Sequence, residues 1–410
     1  MAAKWSFTPL APAKQSARSG VGAALDAPRS SRRPGYSVWS GSSLRLRQHS
    51  NRRSPQAAIG NGIRHAARWR LVLALGLLFL STTGIAAGNS PLRKFEYSLP
   101  RMGTIFRIEL YAGDRDAASK AAEAAFARAE ELEQIMSDYR ADSELNRLAR
   151  EGASAPFPVS SDLYGVLAKS LWTSQLSHGV FDVSIGPLVD LWREARKSHR
   201  LPDAAEIARA KALVDYRNIQ LDAVHHTVYL KRAGMKLDLG AIGKGYAADQ
   251  MLAVLQAQGI HRAMVVAGGE VLAGEPPPGK SGWEVEVGTA DASAGGRPCT
   301  LVLHDAAVST SGDEHQFLEL NGHRYSHVIN PATGWALEGE SSTTVLAPDS
   351  TTADALCTAF SLMPVADGIR TAESLPGVSV LSVHRIGEKW MRTTSRGFPA
   401  FCGELSERVK

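Results

Sequence analysis

Apolar and polar residues alternate along "FEYSLPRMGTIFRIELYAG" (95–113), on either side of Met102-Gly103-Thr104. A period of two is a strand pattern, so two strands with a break are predicted. From Asp114 to Met136 the apolar positions, mostly Ala, fall at helical spacing instead. A polar loop leading into a short helix follows over 136–150, then a helix over 162–176. A turn into a helix is predicted over 181–197, with Pro187 near its start, and another helix over 203–212. Strands take over at 217–222, 226–231 and 235–239. A helix over about 241–258 precedes a buried strand at 262–269 that ends in glycines. Further strands fit 283–288, 299–303, 315–320 and 324–330. Asp354 to Leu362 is helical, and 377–383 with 388–393 make a final hairpin. Helices come early, strands late, with a mixed middle. That order predicts one large mixed α+β domain over 89–410.

Residues 1–67 break the pattern. They are rich in Arg, Ser, Ala, Gly and Pro without apolar periodicity, and they read as a disordered basic extension. Then comes "RWRLVLALGLLFLSTTGIAAG" (68–88), with Arg68 and Arg70 before an apolar run and small residues after it. That is the layout of a signal peptide, or of an uncleaved membrane anchor, and it predicts export to the periplasm or the periplasmic face of the inner membrane. The apolar run from Leu71 to Leu80 is short for a membrane span.

Composition changes the picture in one respect. The net charge of +5 invites a nucleic-acid reading, but residues 1–70 hold thirteen Lys and Arg against the single acid Asp26. The remainder is net acidic, so the charge does not argue for nucleic acid. The three cysteines, Cys299, Cys357 and Cys402, are widely spaced and give neither a disulfide framework nor a zinc spacing. Cys357 falls in a predicted helix and reads as a buried small apolar residue.

Three stretches carry candidate chemistry. "DLGAIGKGYAAD" (238–249) puts glycines around Lys244 between a strand and a helix. It departs from the Walker loop, because Gly245 follows Lys244, and from the dinucleotide fingerprint, because Ala248 stands at the third glycine. It is either an anion-binding helix start or a Gly-rich turn with a solvated lysine. In "TTADALCTAF" (351–360), Asp354 and Thr358 share one helix face. They offer oxygen to a hard cation, or else a capping Asp and a core-facing Thr. "STSGDEHQFLELNGHRYSHVINPATG" (309–334) reads as a polar loop and then a hairpin through Asn321-Gly322. His327 ends that hairpin as a base, a ligand or a structural residue.

Together these motifs resemble the ApbE-like family of FAD:protein FMN transferases, from about residue 94 to about 395. "MGT" at 102–104, Ser137, Tyr139 and "SEL" with Arg147, "FDVSIGPLVDLW" at 181–192 and "DLGAIGKGYAAD" all take part. So do the paired glycines 268–269, "STSG" at 309–312, "HVINPATG" at 327–334 and "DALCTA" at 354–359. The resemblance implies FAD contacts at Met102, Tyr139, Val180, Phe181, Asp182, Asp238, Lys244 and Val328. It implies an Mg²⁺ site from the Ala241 carbonyl, Asp354 and Thr358, and a role for His327 in the transfer step. The implied reaction moves the FMN moiety of FAD to a Thr or Ser hydroxyl of a target flavoprotein, of the respiratory or electron-transfer kind, and releases AMP. An Mg²⁺-dependent FAD pyrophosphatase would use the same site, and a non-catalytic FAD-binding protein would need less of it. The chain departs from the family at Asn330, where an Asp is usual, and at Gly243, where many members have Ala. It shows no Asp-Gly-x-Ser/Thr-x-Thr acceptor segment of its own, so the resemblance implies a separate acceptor protein.

Overall fold

Met102 and Gly103 both take positive φ, 47° and 74°, and join β1 (Arg93–Arg101) to β2 (Thr104–Ala112) with Arg101 opposite Thr104. Two successive left-handed residues make a hairpin turn whose twist matches the strands it joins. The break inside the first alternating stretch is this turn. The computed structural model describes residues 91–294, 296, 299–312, 317–399 and 402. The expectations for 1–67 and 68–88 lie outside those residues.

The hairpin opens an eight-stranded sheet. It continues through β3 (Ala263–Ala267), β4 (Glu270–Ala273), β5 (Ala306–Gly312), β6 (Ser341–Ala347), β7 (Ser379–Ile386) and β8 (Lys389–Thr394). Spatial order equals chain order, and every neighbouring pair is antiparallel. The helices are insertions into this meander. They are α1 (Arg115–Met136), α2 (Glu144–Glu151), α3 (Ser161–Leu176), α4 (Gly186–Ser198), α5 (Ala204–Lys211), α6 (Gly243–Ala257), α7 (Ser350–Leu362) and α8 (Val365–Ser374). Several of their starts are capped by side chains. Asp114 accepts the Ala117 N–H, Ser160 that of Leu163, and Asp203 with Glu206 forms a full capping box.

Alternation along the strands separates two cores. Phe106, Ile108 and Leu110 of β2, Val265 of β3 and Leu272 of β4 face a helix layer that includes α1, α6 and α7. Each fully buried side chain of this size contributes about 1.5–3 kcal/mol. α1 presents Ala118, Ala121, Ala122, Ala125 and Ala129 to this core, small residues that let α6 approach closely. The opposite face of the sheet takes Met264, Val271 and Val308 against the hairpin of Trp283–Val287 and Cys299–Leu303. A third cluster packs Leu188 and Trp192 of α4 on the small sheet of Phe317–Leu320, His323–Ile329 and Ala336–Glu338. Asn321 and Gly322 turn its hairpin with φ of 53° and 79°, as the Asn-Gly pair predicts. The whole is the single mixed α+β domain expected. Among the described residues, no helix is long and apolar enough to cross a membrane.

Three expectations need correction. No strand forms over 235–239; the segment is extended, with one isolated parallel bridge from Lys236 to Ile185. "STSG" (309–312) is not a loop but part of the central strand β5, where Thr310 and Thr344 pair hydroxyls across to β6 at 3.0 Å. Cys299 and Cys402 form a disulfide across 103 residues, so two of the three cysteines are paired after all. Beside it, the buried Arg392 pairs with Asp291 at 2.9 Å and donates to the Cys402 carbonyl at 3.0 Å. Cys357 is free and buried, as read from its helix.

Candidate active site

The loop before α6 is built by its own backbone and one acid. The Asp238 N–H donates to the Val183 carbonyl at 2.8 Å, which ties the loop to the 181–185 turn. Asp238 Oδ1 accepts the Gly240 N–H at 2.8 Å, which bends the chain toward the helix. α6 then starts at Gly243 with Ile242 as its cap residue and no side-chain cap bond. Its first N–H groups therefore need partners from elsewhere. One partner is Asp354, whose Oδ2 accepts the Gly245 N–H at 2.9 Å.

The exchange is reciprocal. Asp249 of α6 accepts the Ser350 and Thr351 N–H groups at the start of α7, both at 2.8 Å. Asp354 of α7 serves the start of α6. Each helix thus satisfies orphan donors of the other, and the two cross at Gly245. A Cβ there would meet the Ser350 carbonyl oxygen at 2.2 Å and the Asp354 Cβ at 2.8 Å. The glycine that spoils the Walker pattern is thus explained by packing. Gly245→Ala should destabilise the fold by about 1–3 kcal/mol through overpacking, read as a lower denaturant midpoint. An unchanged midpoint would contradict the close crossing.

Lys244 lies at the centre of this site. Its Nζ donates to the Gly240 carbonyl at 2.9 Å and sits 3.4 Å from Glu270 Oε1 and 3.7 Å from Asp354 Oδ2. Burial works against its charge, but the two carboxylates outweigh burial and hold the ammonium above the ordinary lysine range. Burial pushes the Glu270 carboxyl up to about 8, against the pull of Lys244. Asp354 lies one turn inside α7; the N-cap is Asp349, which accepts the Thr352 N–H at 2.7 Å. The capping alternative for Asp354 is thereby removed. Thr358 follows one turn later, half-buried, and Ala241 stands three residues before Lys244 in the loop.

Tyr139 and Asp238 meet through a residue that the sequence motifs did not single out. Arg193 of α4 stacks its guanidinium over the exposed Tyr139 ring at 4.3 Å, pairs with Asp138 and reaches Asp238 Oδ2 at 3.2 Å. The neighbouring Trp192 packs on Tyr325 at 5.6 Å between ring centres. α4 therefore couples this cluster to the strand that carries His327 and Val328. His327 is exposed on that strand and Val328 is buried. Asn330 Oδ1 accepts the Ala332 N–H at 2.8 Å, closing the turn. An amide oxygen does this as well as a carboxylate, which accounts for Asn where Asp is usual.

Phe181 and Asp182 turn inward. Phe181 is in the core, and Asp182 accepts from the Ser184 N–H and hydroxyl and from the Tyr216 N–H, at 2.7–2.8 Å. Burial raises the Asp182 carboxyl above its ordinary range. With these side chains engaged, a ligand at 180–182 is left the backbone and the half-buried Val180. Met102 anchors the first hairpin turn by donating its N–H to Glu133 Oε2 at 3.0 Å. A cavity of about 450 Å³ opens there, lined by Met102, Thr104, Glu130, Glu133 and Arg140 among others. The turn also abuts the Gly268-Gly269 corner, where a Cβ on Gly268 would meet Thr104 at 3.2 Å.

The ligating atoms on offer are oxygens: the Asp354 and Glu270 carboxylates, the Thr358 hydroxyl and the Ala241 carbonyl. Such donors suit a hard cation. Among the described residues no group of three or more His, Cys, Asp or Glu gathers as a metal cluster. Glu270, Arg193 and Asp249 were the residues missed. Glu270 follows the paired glycines directly, and Asp249 ends the quoted loop motif, so a signal existed for both.

Residues 102–382 match the model of the ApbE family. The FAD:protein FMN transferase of Treponema pallidum is 33% identical over 332 residues, 77% of this chain and 91% of that protein. That of Vibrio cholerae is 31% identical over 339 residues, 81% of this chain and 98% of that one. Among solved structures, the Vibrio cholerae flavin transferase ApbE matches with a TM-score of 0.66 at 28% identity, over 75% of this chain and 99% of that one. The apo flavinyl transferase ApbE of Pseudomonas stutzeri matches with a TM-score of 0.68 at 26% identity, over 77% and 98%.

Proposed function

The chain belongs to the ApbE family, and from that membership we propose that it is an Mg²⁺-dependent FAD:protein FMN transferase acting on a Thr or Ser hydroxyl of a second protein. The observation that carries the reading is Lys244, held at the uncapped start of α6 between two buried carboxylates. The positive end of a helix and a fixed ammonium favour a pyrophosphate. Adjacent carboxylates would repel that anion unless a cation joined them, so the two features fit a substrate that brings phosphate and metal together.

The acceptor hydroxyl attacks the phosphorus on the FMN side of FAD. The bond to the bridging oxygen breaks, and AMP departs with that oxygen. Such a transfer needs alignment and charge neutralisation more than covalent help. Mg²⁺ on Asp354, Thr358 and the Ala241 carbonyl would neutralise the pyrophosphate when bound. Lys244 would add a second positive charge to the site. Tyr139, braced by Arg193, offers an exposed aromatic face to a flat ring. His327 accepts the proton of the attacking hydroxyl at Nδ1 or Nε2. His327→Ala should then slow single-turnover FMN transfer by about 10²–10⁴-fold while FAD still binds. A wild-type rate in that variant would remove His327 from the step.

We place the protein outside the cytoplasm, free in the periplasm or tethered by residues 68–88. The Cys299–Cys402 disulfide supports this, because such bonds persist in oxidising compartments. The acceptors are then flavoproteins of respiratory or electron-transfer complexes at the membrane. The mass of the exported protein's N-terminus checks the location: a start near residue 88 means a free enzyme.

A further inference from the structure

The corner between β3 and β4 puts a charge where the sheet calls for an apolar side chain. Gly268, at φ 75°, and Gly269 turn the chain so that Glu270 pairs with Ala267 across the corner and with Ser309 on β5. Alternation along β4 then decides the direction of each residue. Val271 and Ala273 face the core beyond the far side of the sheet, and Leu272 faces the helix layer. Glu270 shares the face of Leu272 and is only 4% exposed. Its Oε1 lies 3.4 Å from Lys244 Nζ, longer than a good charged hydrogen bond. Its Oε2 is buried with no hydrogen-bond partner, beside the Gly268 corner that abuts Thr104 of the Met-Gly-Thr turn.

An unpartnered buried acceptor at such a position costs about 1–3 kcal/mol. Lys244 does not meet the need, since its contact is with Oε1 and its other donors serve Asp354 and the Gly240 carbonyl. Local rules are broken at functional sites more than elsewhere. The orphan oxygen points to a partner supplied from outside the chain.

We propose that Glu270 is a binding-site residue for the divalent cation, joining Asp354, the other carboxylate beside Lys244, either directly or through a cation-bound water. This deepens the reading above and rests on its cation site. Lys244 then keeps the two carboxylates together until the cation enters and afterwards faces the pyrophosphate. Glu270 is thus tied to cation affinity and not to flavin recognition.

The test uses the folded protein and Mn²⁺ alone, with free Mn²⁺ followed by electron paramagnetic resonance and FAD binding by flavin fluorescence. Glu270→Gln should weaken Mn²⁺ binding by at least about tenfold, with its melting temperature unchanged or raised. Glu270→Asp, which keeps the charge but withdraws it, should fall between; it also decides the matter if the Gln variant fails to fold. Asp354→Asn is the reference for the cation site itself. Wild-type Mn²⁺ affinity in both Glu270 variants, with affinity lost in Asp354→Asn, would overturn the Glu270 proposal and leave the proposed function standing. Wild-type affinity in all three would overturn the cation site as well.

Discussion

Asp354→Asn is expected to lower Mg²⁺-dependent FMN transfer by at least about 10²-fold, since a metal supplies several kcal/mol to such a transition state. Asn keeps an oxygen to accept the Gly245 N–H, so the junction of α6 and α7 should survive. Asp354→Ala removes that acceptor too. It should cost about 1–3 kcal/mol of stability for the stranded N–H, on top of the lost activity. The comparison separates chemistry from folding. Activity assays across Mg²⁺ concentration, alongside denaturant titration, check both. Normal Mg²⁺-dependent turnover by the folded Asn variant would remove Asp354 from the metal site.

Reducing the Cys299–Cys402 disulfide is expected to destabilise the domain by about 2–4 kcal/mol, since a closed loop of about 100 residues restricts the unfolded chain strongly. The loss should appear as a lower unfolding midpoint, with transfer activity retained below it. The bond lies in the core beyond the far face of the sheet, away from the layer of α6 and α7. Cys357 should stay unlabelled by thiol reagents in the folded protein. Burial pushes its thiol far above the ordinary range, and its sulfur sits against the Thr343 carbonyl at 2.9 Å. An unchanged midpoint after complete reduction would show that Arg392 and Asp291 hold the C-terminal segment unaided.

What was legible in the sequence was mostly local. Asn321-Gly322 announces a hairpin turn, because the pair accepts left-handed backbone where strands must reverse, whereas Met102-Gly103 announces only a break between two strands. Asp203 and Glu206 announce a helix start. β5 and β6 were not legible, because "AAVSTSG" and "SSTTVLA" lack a clean alternation and owe their position to pairing with distant strands. Residues 235–239 misled in the opposite direction: the pattern is strand-like, but a single bridge is all the partner segment provides. The disulfide is a fact of distance across 103 residues, which no spacing rule reveals. At the site, the glycines around Lys244 suggested a phosphate loop. The structure divides their work, since Gly245 serves the helix crossing and Gly240 lets Asp238 bend the loop ahead of it. Glu270 follows the paired glycines in the sequence, but its place against Lys244 comes from the corner after β3.

The most direct test incubates the purified protein with FAD and Mg²⁺, with and without a protein bearing an exposed acceptor threonine, and weighs every product. A flavin transferase yields an acceptor heavier by one FMN moiety, with AMP in equal amount, and EDTA abolishes both. Free FMN and AMP at the same rate without any acceptor, or FAD left intact in both tubes, would contradict the transfer proposed here.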